Sequence, residues 1–135
     1  KETVPARDKS KRNARLSLIR VRRGCGSWEC NCGKPHSVPF EITGRCGSSR
    51  IKLIPAPRGK GLCMEKECAK ILALAGIKDV WSKSSGKTVV KINLIKATFD
   101  ALRKLSQVKV NPEEIVKLGI IEGKLKEVEG AEVKQ

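Results

Sequence analysis

Aromatic residues are almost absent from this sequence: its 135 residues include two Trp, two Phe and no Tyr. Single-stranded nucleic acid is commonly held by bases stacked on aromatic rings, so base stacking is excluded as a main mode of binding. Histidine is nearly missing too, with one in the whole chain. With no recognisable pair of carboxylates and no nucleophile beside a base, no catalytic arrangement can be assembled, and an enzyme is not expected. Gly86-Lys87-Thr88 ends like a phosphate-binding loop, but the glycine needed five residues earlier is replaced by Trp81. No run approaches the roughly 20 apolar residues that cross a bilayer, and no signal peptide precedes the chain, so membrane insertion is not expected. The start at Lys1 rather than Met, inside a basic helix-like segment, reads as a processed or truncated piece.

Acidic residues are the other shortage. Lys and Arg number 29 against 14 Asp and Glu, a formal charge of +15. The excess is uneven: Lys1 to Lys60 hold 15 basic and 4 acidic residues, whereas residues 112–135 hold 4 and 6. So much like charge repels itself unless a polyanion neutralises it, which makes nucleic acid the expected partner and an anionic membrane surface the competitor. Six cysteines without secretory features point to a reducing compartment such as the cytoplasm, where thiols serve as metal ligands or small core residues.

The apolar content of 39% suits one compact domain with appended segments. Residues 6–17 are rich in helix formers after Val4-Pro5, and residues 16–22 then turn strand-like, with Gly24 and Gly26 ending the strand. Val38, Phe40 and Ile42, then Ile51 and Leu53, alternate with polar residues as two half-buried strands, and the glycines of GRCG at 44–47 suit the reversal between them. Two prolines and two glycines make 55–61 a basic loop. A helix from Glu65 presents Cys68, Ile71, Leu72 and Ala75 inward and stops at Gly76. Residues 77–82 read as a strand. A second helix, capped by Asn93, lines one face with Ile95, Phe99, Leu102 and Leu105. Beyond residue 108 the chain reads as a linker with one short helix opening at Asn111-Pro112, and the last dozen residues as disordered.

The sharpest local signal is Cys25-x4-Cys30-x-Cys32-x3-His36, four ligand types that zinc prefers within twelve residues of a turn-rich insert. Closing so small a loop around an ion would order a segment that has almost no core, and the role would be structural. The spacing lacks paired C-x2-C knuckles, so reduced thiols in an insert ordered by RNA stay open as the other reading. Cys46, Cys63 and Cys68 have weaker claims. For RNA, the useful groups are Arg7, Lys9, Lys11, Arg12 and Arg15 on the first helix. Arg20, Arg22 and Arg23 follow at the strand end, then Lys34 in the insert, Arg45, Arg50 and Lys52 on the hairpin, and Arg58 and Lys60 in the loop. Arg offers a planar fork for phosphates and Lys a mobile point charge, so shape and phosphate contacts should dominate over base reading.

The strings VRRG at 21–24, GKPHSVPF at 33–40, GRCG at 44–47, LIPAPRG at 53–59, LAGIKDV at 74–80 and KATFDA at 96–101 closely resemble the universal small-subunit ribosomal protein S5 family, called S2 in eukaryotes. The resemblance runs in unbroken order from about residue 4 to residue 105, and the Cys-rich insert resembles archaeal members. It implies an α+β fold: a small mixed sheet with two helices on one face, preceded by part of a double-stranded-RNA-binding-like domain. The division it suggests is 1–24 as the remaining basic helix and strand of that domain, 25–36 as the Cys-rich insert, 37–106 as the C-terminal α+β domain and 107–135 as an extension. The implied function is a structural constituent of the small ribosomal subunit that binds ribosomal RNA near the messenger entry side and decoding region, beside ribosomal proteins S4 and S8. No cofactor is implied as a requirement. The alternative is a zinc-dependent nucleic-acid or protein binding module outside the ribosome.

Overall fold

The computed structural model describes residues 2–123. The expected disorder of the last dozen residues concerns positions outside that range. In chain order the elements are α1 (Thr3–Leu16), β1 (Arg22–Arg23), β2 (Ile42–Cys46), β3 (Ser49–Pro55), β4 (Leu62–Cys63), α2 (Lys66–Leu74), β5 (Val80–Ser85), α3 (Lys91–Gln107), α4 (Pro112–Lys117) and β6 (Ile121–Glu122).

Four strands form a mixed sheet in the order β2-β3-β5-β4. β2 and β3 are an antiparallel hairpin, β3 and β5 are antiparallel, and β4 lies parallel to β5 through the crossover that contains α2. Alternation along β3 sends Ile51 and Leu53 to the buried face, where they meet Val38, Val80, Cys68 and Leu72 and the inner face of α3. This is the expected α+β architecture, with α2 and α3 on one face. Burial of these apolar side chains is the main drive for the fold.

α3 buries Leu94, Ala97, Thr98, Ala101, Leu102 and Leu105. The expected face was rotated from this one: Ile95 is only half-buried and Phe99 is 41% exposed. Size explains the difference. A Cβ on Gly44 would lie 2.0 Å from the Ala97 carbonyl oxygen and 2.6 Å from the Ala101 nitrogen, so β2 and α3 touch backbone to backbone through their smallest residues. Gly44 therefore belongs to the strand interior, and the reversal falls two residues later at Gly47-Ser48. Asn93 lies inside α3, whose N-cap position is Val90.

α2 ends as its glycine suggests. Gly76 adopts φ +79°, its N–H donates to the Ala73 carbonyl, and the Ile77 N–H donates to the Leu72 carbonyl. β5 starts three residues later than expected, because the N–H groups of Lys78 and Asp79 donate to the His36 carbonyl instead of to a neighbouring strand.

The expected strand at 16–22 is reduced to Arg22–Arg23, since no strand lies beside residues 16–21 among the described residues to supply ladder partners. Its partner is β6, which the sequence did not suggest: Arg22 pairs with Glu122 and Arg23 with Ile121. Residues 108–123 thus return to the start of the domain rather than trailing from it.

Candidate metal centre and nucleic-acid interface

Residues 25–36 have no helix and no strand, and a single bridge between Gly24 and Ser37 closes their ends. They are tied down at their edges: Cys25 N–H donates to the Leu118 carbonyl and Gly26 N–H to the Val38 carbonyl. Within this loop the four side chains singled out by spacing converge. The ligand atoms of Cys25, Cys30, Cys32 and His36 all lie within 4.8 Å of one another, with Cys25 and His36 buried. Cys46, Cys63 and Cys68 lie elsewhere; Cys68 is a core residue and Cys63 is exposed.

The sulfur environments differ. Burial pushes the Cys25 thiol up to about 11, helped by the adjoining thiols of Cys32 and Cys30. The Arg58 backbone N–H aimed at Cys30, together with Cys32, brings the Cys30 thiol down to about 6. His36 is held from its other side: its Nδ1 lies 2.8 Å from Asp79 Oδ2, and both side chains are buried. A carboxylate acceptor there places the proton on Nδ1 and leaves the Nε2 lone pair toward the sulfurs, 3.7 Å from Cys30 Sγ. The second oxygen, Asp79 Oδ1, accepts the N–H groups of Gly59 at 3.1 Å and Gly61 at 2.9 Å. Asp79 escaped the sequence reading, because nothing local marks a carboxylate 43 positions from its histidine.

Beside this cluster opens a cleft of about 450 Å³ lined by Arg23, Lys34, Arg58 and Lys78, with His36 and Asp79 at its wall. Three of the four cations were expected from sequence as separate groups, and the fold gathers them. Lys78 is the addition. It follows the helix-ending Gly76, and its N–H donates to the carbonyl of His36 at the cleft wall.

A second basic surface is the sheet face not covered by helices. Thr43 and Arg45 of β2, Arg50 and Lys52 of β3, and Lys83 and Ser85 of β5 share it by register. Arg45 stands directly opposite Arg50, and Lys52 directly opposite Lys83. Like charges facing each other across paired strands are destabilising. Lys52 has relief from Glu41, and Arg45 Nε donates to the Gly47 carbonyl. Lys83, missed in the sequence reading, stands in a strand whose alternation becomes legible only once its register is known.

The third basic element is α1, whose residues are all exposed, carrying Arg7, Lys9, Lys11, Arg12 and Arg15. Lys11, Arg12 and Arg15 flank Asp8 on one side of the helix. Arg20 and Lys60 are likewise exposed. Arg22 departs from expectation: its guanidinium pairs with Glu122 and donates to the Val108 carbonyl, so it closes the chain on itself. Arg23 also donates to the Gly123 carbonyl at 2.7 Å while lining the cleft.

Residues 44–117 match the family model described as ribosomal protein S5, C-terminal domain. Over 125 residues the chain is 50% identical to the small ribosomal subunit protein uS5 of Methanococcus vannielii, which covers 93% of this chain and 56% of that protein. The protein of the same name from Nanoarchaeum equitans is 52% identical over 120 residues, 89% of this chain and 52% of that protein. That of Thermofilum pendens is 53% identical over 100 residues, 74% of this chain and 50% of that protein. The chain spans about half the length of the curated relatives it matches.

Proposed function

The chain belongs to the ribosomal protein S5 family, and on that premise we propose that it is a structural, non-enzymatic constituent of the small ribosomal subunit that binds ribosomal RNA through its phosphates. The observation that carries the RNA reading is the open sheet face. Two cross-strand pairs of like charge, Arg45 with Arg50 and Lys52 with Lys83, cost stability in the free chain and become favourable against a polyanion. The cleft of Arg23, Lys34, Arg58 and Lys78 supplies a more enclosed phosphate position. α1 is a basic helix without a buried residue, and a helix of 14 residues with no packing partner among the described residues is marginal in water, which fits a segment that docks on RNA.

Residues 1–24 are read as the remaining edge of a larger RNA-binding domain, 25–36 as an insert, 37–106 as the C-terminal domain and 107–135 as an extension. The ribosome in the cytoplasm is the proposed location, near the messenger entry side and decoding region and beside ribosomal proteins S4 and S8. That placement rests on the family resemblance. A zinc-dependent module acting outside the ribosome has no observation in its favour, since the relatives all carry the name of a small-subunit protein.

A salt titration tests the RNA reading. Binding to folded small-subunit RNA should weaken steeply with salt, the logarithmic slope growing by about 0.7 to 0.9 for each phosphate contacted. It should be tighter than binding to the same RNA unfolded. A slope near zero, or equal affinity for the unfolded RNA, would sink it.

A further inference from the structure

Residues 25–36 are ordered without a core of their own. Their largest apolar side chain, Trp28, is 89% exposed, and Ser27 Oγ is buried with no hydrogen-bond partner among the described residues. What this segment does bring together is ligand chemistry: three sulfurs and an imidazole nitrogen within 4.8 Å of one another, Cys25 and His36 buried and Cys30 and Cys32 half-buried. We propose that Cys25, Cys30, Cys32 and His36 hold a structural zinc ion, and that Asp79 extends the grip of that ion to the basic loop at residues 58–61.

The geometry fits a closed tetrahedral site. Zn–S bonds of about 2.3 Å and a Zn–N bond of about 2.0 Å set the ligand atoms roughly 3.5 to 3.8 Å apart. Cys30 Sγ and His36 Nε2 already stand 3.7 Å apart, and no pair exceeds 4.8 Å, so only a small contraction closes the set. The spacing lacks paired knuckles, but folding brings the same four atoms together that paired knuckles would.

The surrounding groups are those that orient zinc ligands. A metal-bound histidine donates its other ring N–H to a carboxylate, as His36 Nδ1 does to Asp79 at 2.8 Å. Asp79 then spends its second oxygen on Gly59 and Gly61. The path from the ion to the RNA-facing loop is therefore two side chains long: zinc to His36, His36 to Asp79, Asp79 to the backbone that presents Arg58 and Lys60.

The experiment uses the whole 135-residue chain, reduced, purified without a metal-affinity tag from zinc-supplemented medium. One zinc per chain is expected by elemental analysis. Replacement by cobalt should give the visible bands of a tetrahedral ion and sulfur-to-cobalt charge transfer. Cys30→Ser and Cys32→Ser should lose the metal, whereas Cys46→Ser and Cys63→Ser should keep it. Asp79→Asn keeps all four ligands but turns an amide toward His36, and should lower zinc affinity by roughly 10- to 100-fold. Chelation should speed amide hydrogen exchange at Gly59 and Gly61.

Reduced wild-type chain that carries no stoichiometric zinc and gives no tetrahedral cobalt spectrum would overturn the site, a result that needs no variant to fold. A cobalt spectrum unchanged in Cys30→Ser would overturn it as well. Unchanged zinc affinity in Asp79→Asn, or exchange at Gly59 and Gly61 indifferent to chelation, would overturn the role given to Asp79. None of these readouts involves RNA, so the ribosomal reading stands or falls separately.

Discussion

Asp100 joins a helix to a strand with one carboxylate. It accepts the Arg45 backbone N–H at 3.0 Å and pairs with Lys104 at 2.7 Å, one turn along α3. The Lys104 hydrogen bond, with that of the Arg45 backbone, holds its carboxyl below the usual range against a smaller opposing effect of burial. Because the folded carboxyl ionises at lower pH than the unfolded one, its stabilisation is complete above the unfolded value of about 4 and is lost as pH falls through the folded value. About a third of the side chain faces water, so screening keeps the contribution to about 1 kcal/mol or less. Urea midpoints of wild type and Asp100→Ala should differ at neutral pH and converge only as the solution is acidified below about pH 4. A constant difference down to low pH would assign the loss to something other than the charge.

Among the elements, the sheet makes the clearest separation between folding and binding. Its inner face is a packing surface and its outer face is a charge surface, and strand alternation keeps the two independent. The double change Arg50→Glu with Lys83→Glu converts two like-charge pairs into opposite ones. The free chain should gain stability, by roughly 0.2 to 1 kcal/mol per pair. RNA affinity should fall, and the salt slope should drop by about 2. Thermal melting beside a salt titration of RNA binding checks both directions. A variant that loses stability and affinity together would show a folding defect, and one that keeps its slope would remove the outer face from the RNA surface. α1 has no such inner face, since all of its residues are exposed.

At the scale of the whole molecule, the return of residues 108–123 to β1 closes the fold. β6 pairs with β1, the Leu118 carbonyl accepts the Cys25 N–H, and Arg22 is held by Glu122 and the Val108 carbonyl. Ending the chain after Gln107 removes these partners. The melting temperature should fall by roughly 5 to 10 °C, the size of a loss of about 1 to 2 kcal/mol in a domain of this length. The salt slope of RNA binding should steepen by about 1 to 2 as Arg22 and Arg23 are released. An unchanged melting temperature would mean that the extension lies on the domain without supporting it. Much of this molecule is legible in its linear order: the charge excess, the existence of α2 and α3, the β2–β3 hairpin, the four clustered ligands and the S5 strings all rest on composition or on spacings within a dozen residues. Such signals survive because helix period, strand alternation and short loops are local. The tertiary structure alone decided the rest. It rotated the inner face of α3 toward Ala97 and Ala101, because close approach at Gly44 depends on residue size across two elements. It turned Arg22 inward onto a strand one hundred positions away. It set Asp79 between His36 and the glycine loop, because a carboxylate acquires its partners only when distant segments of the chain meet.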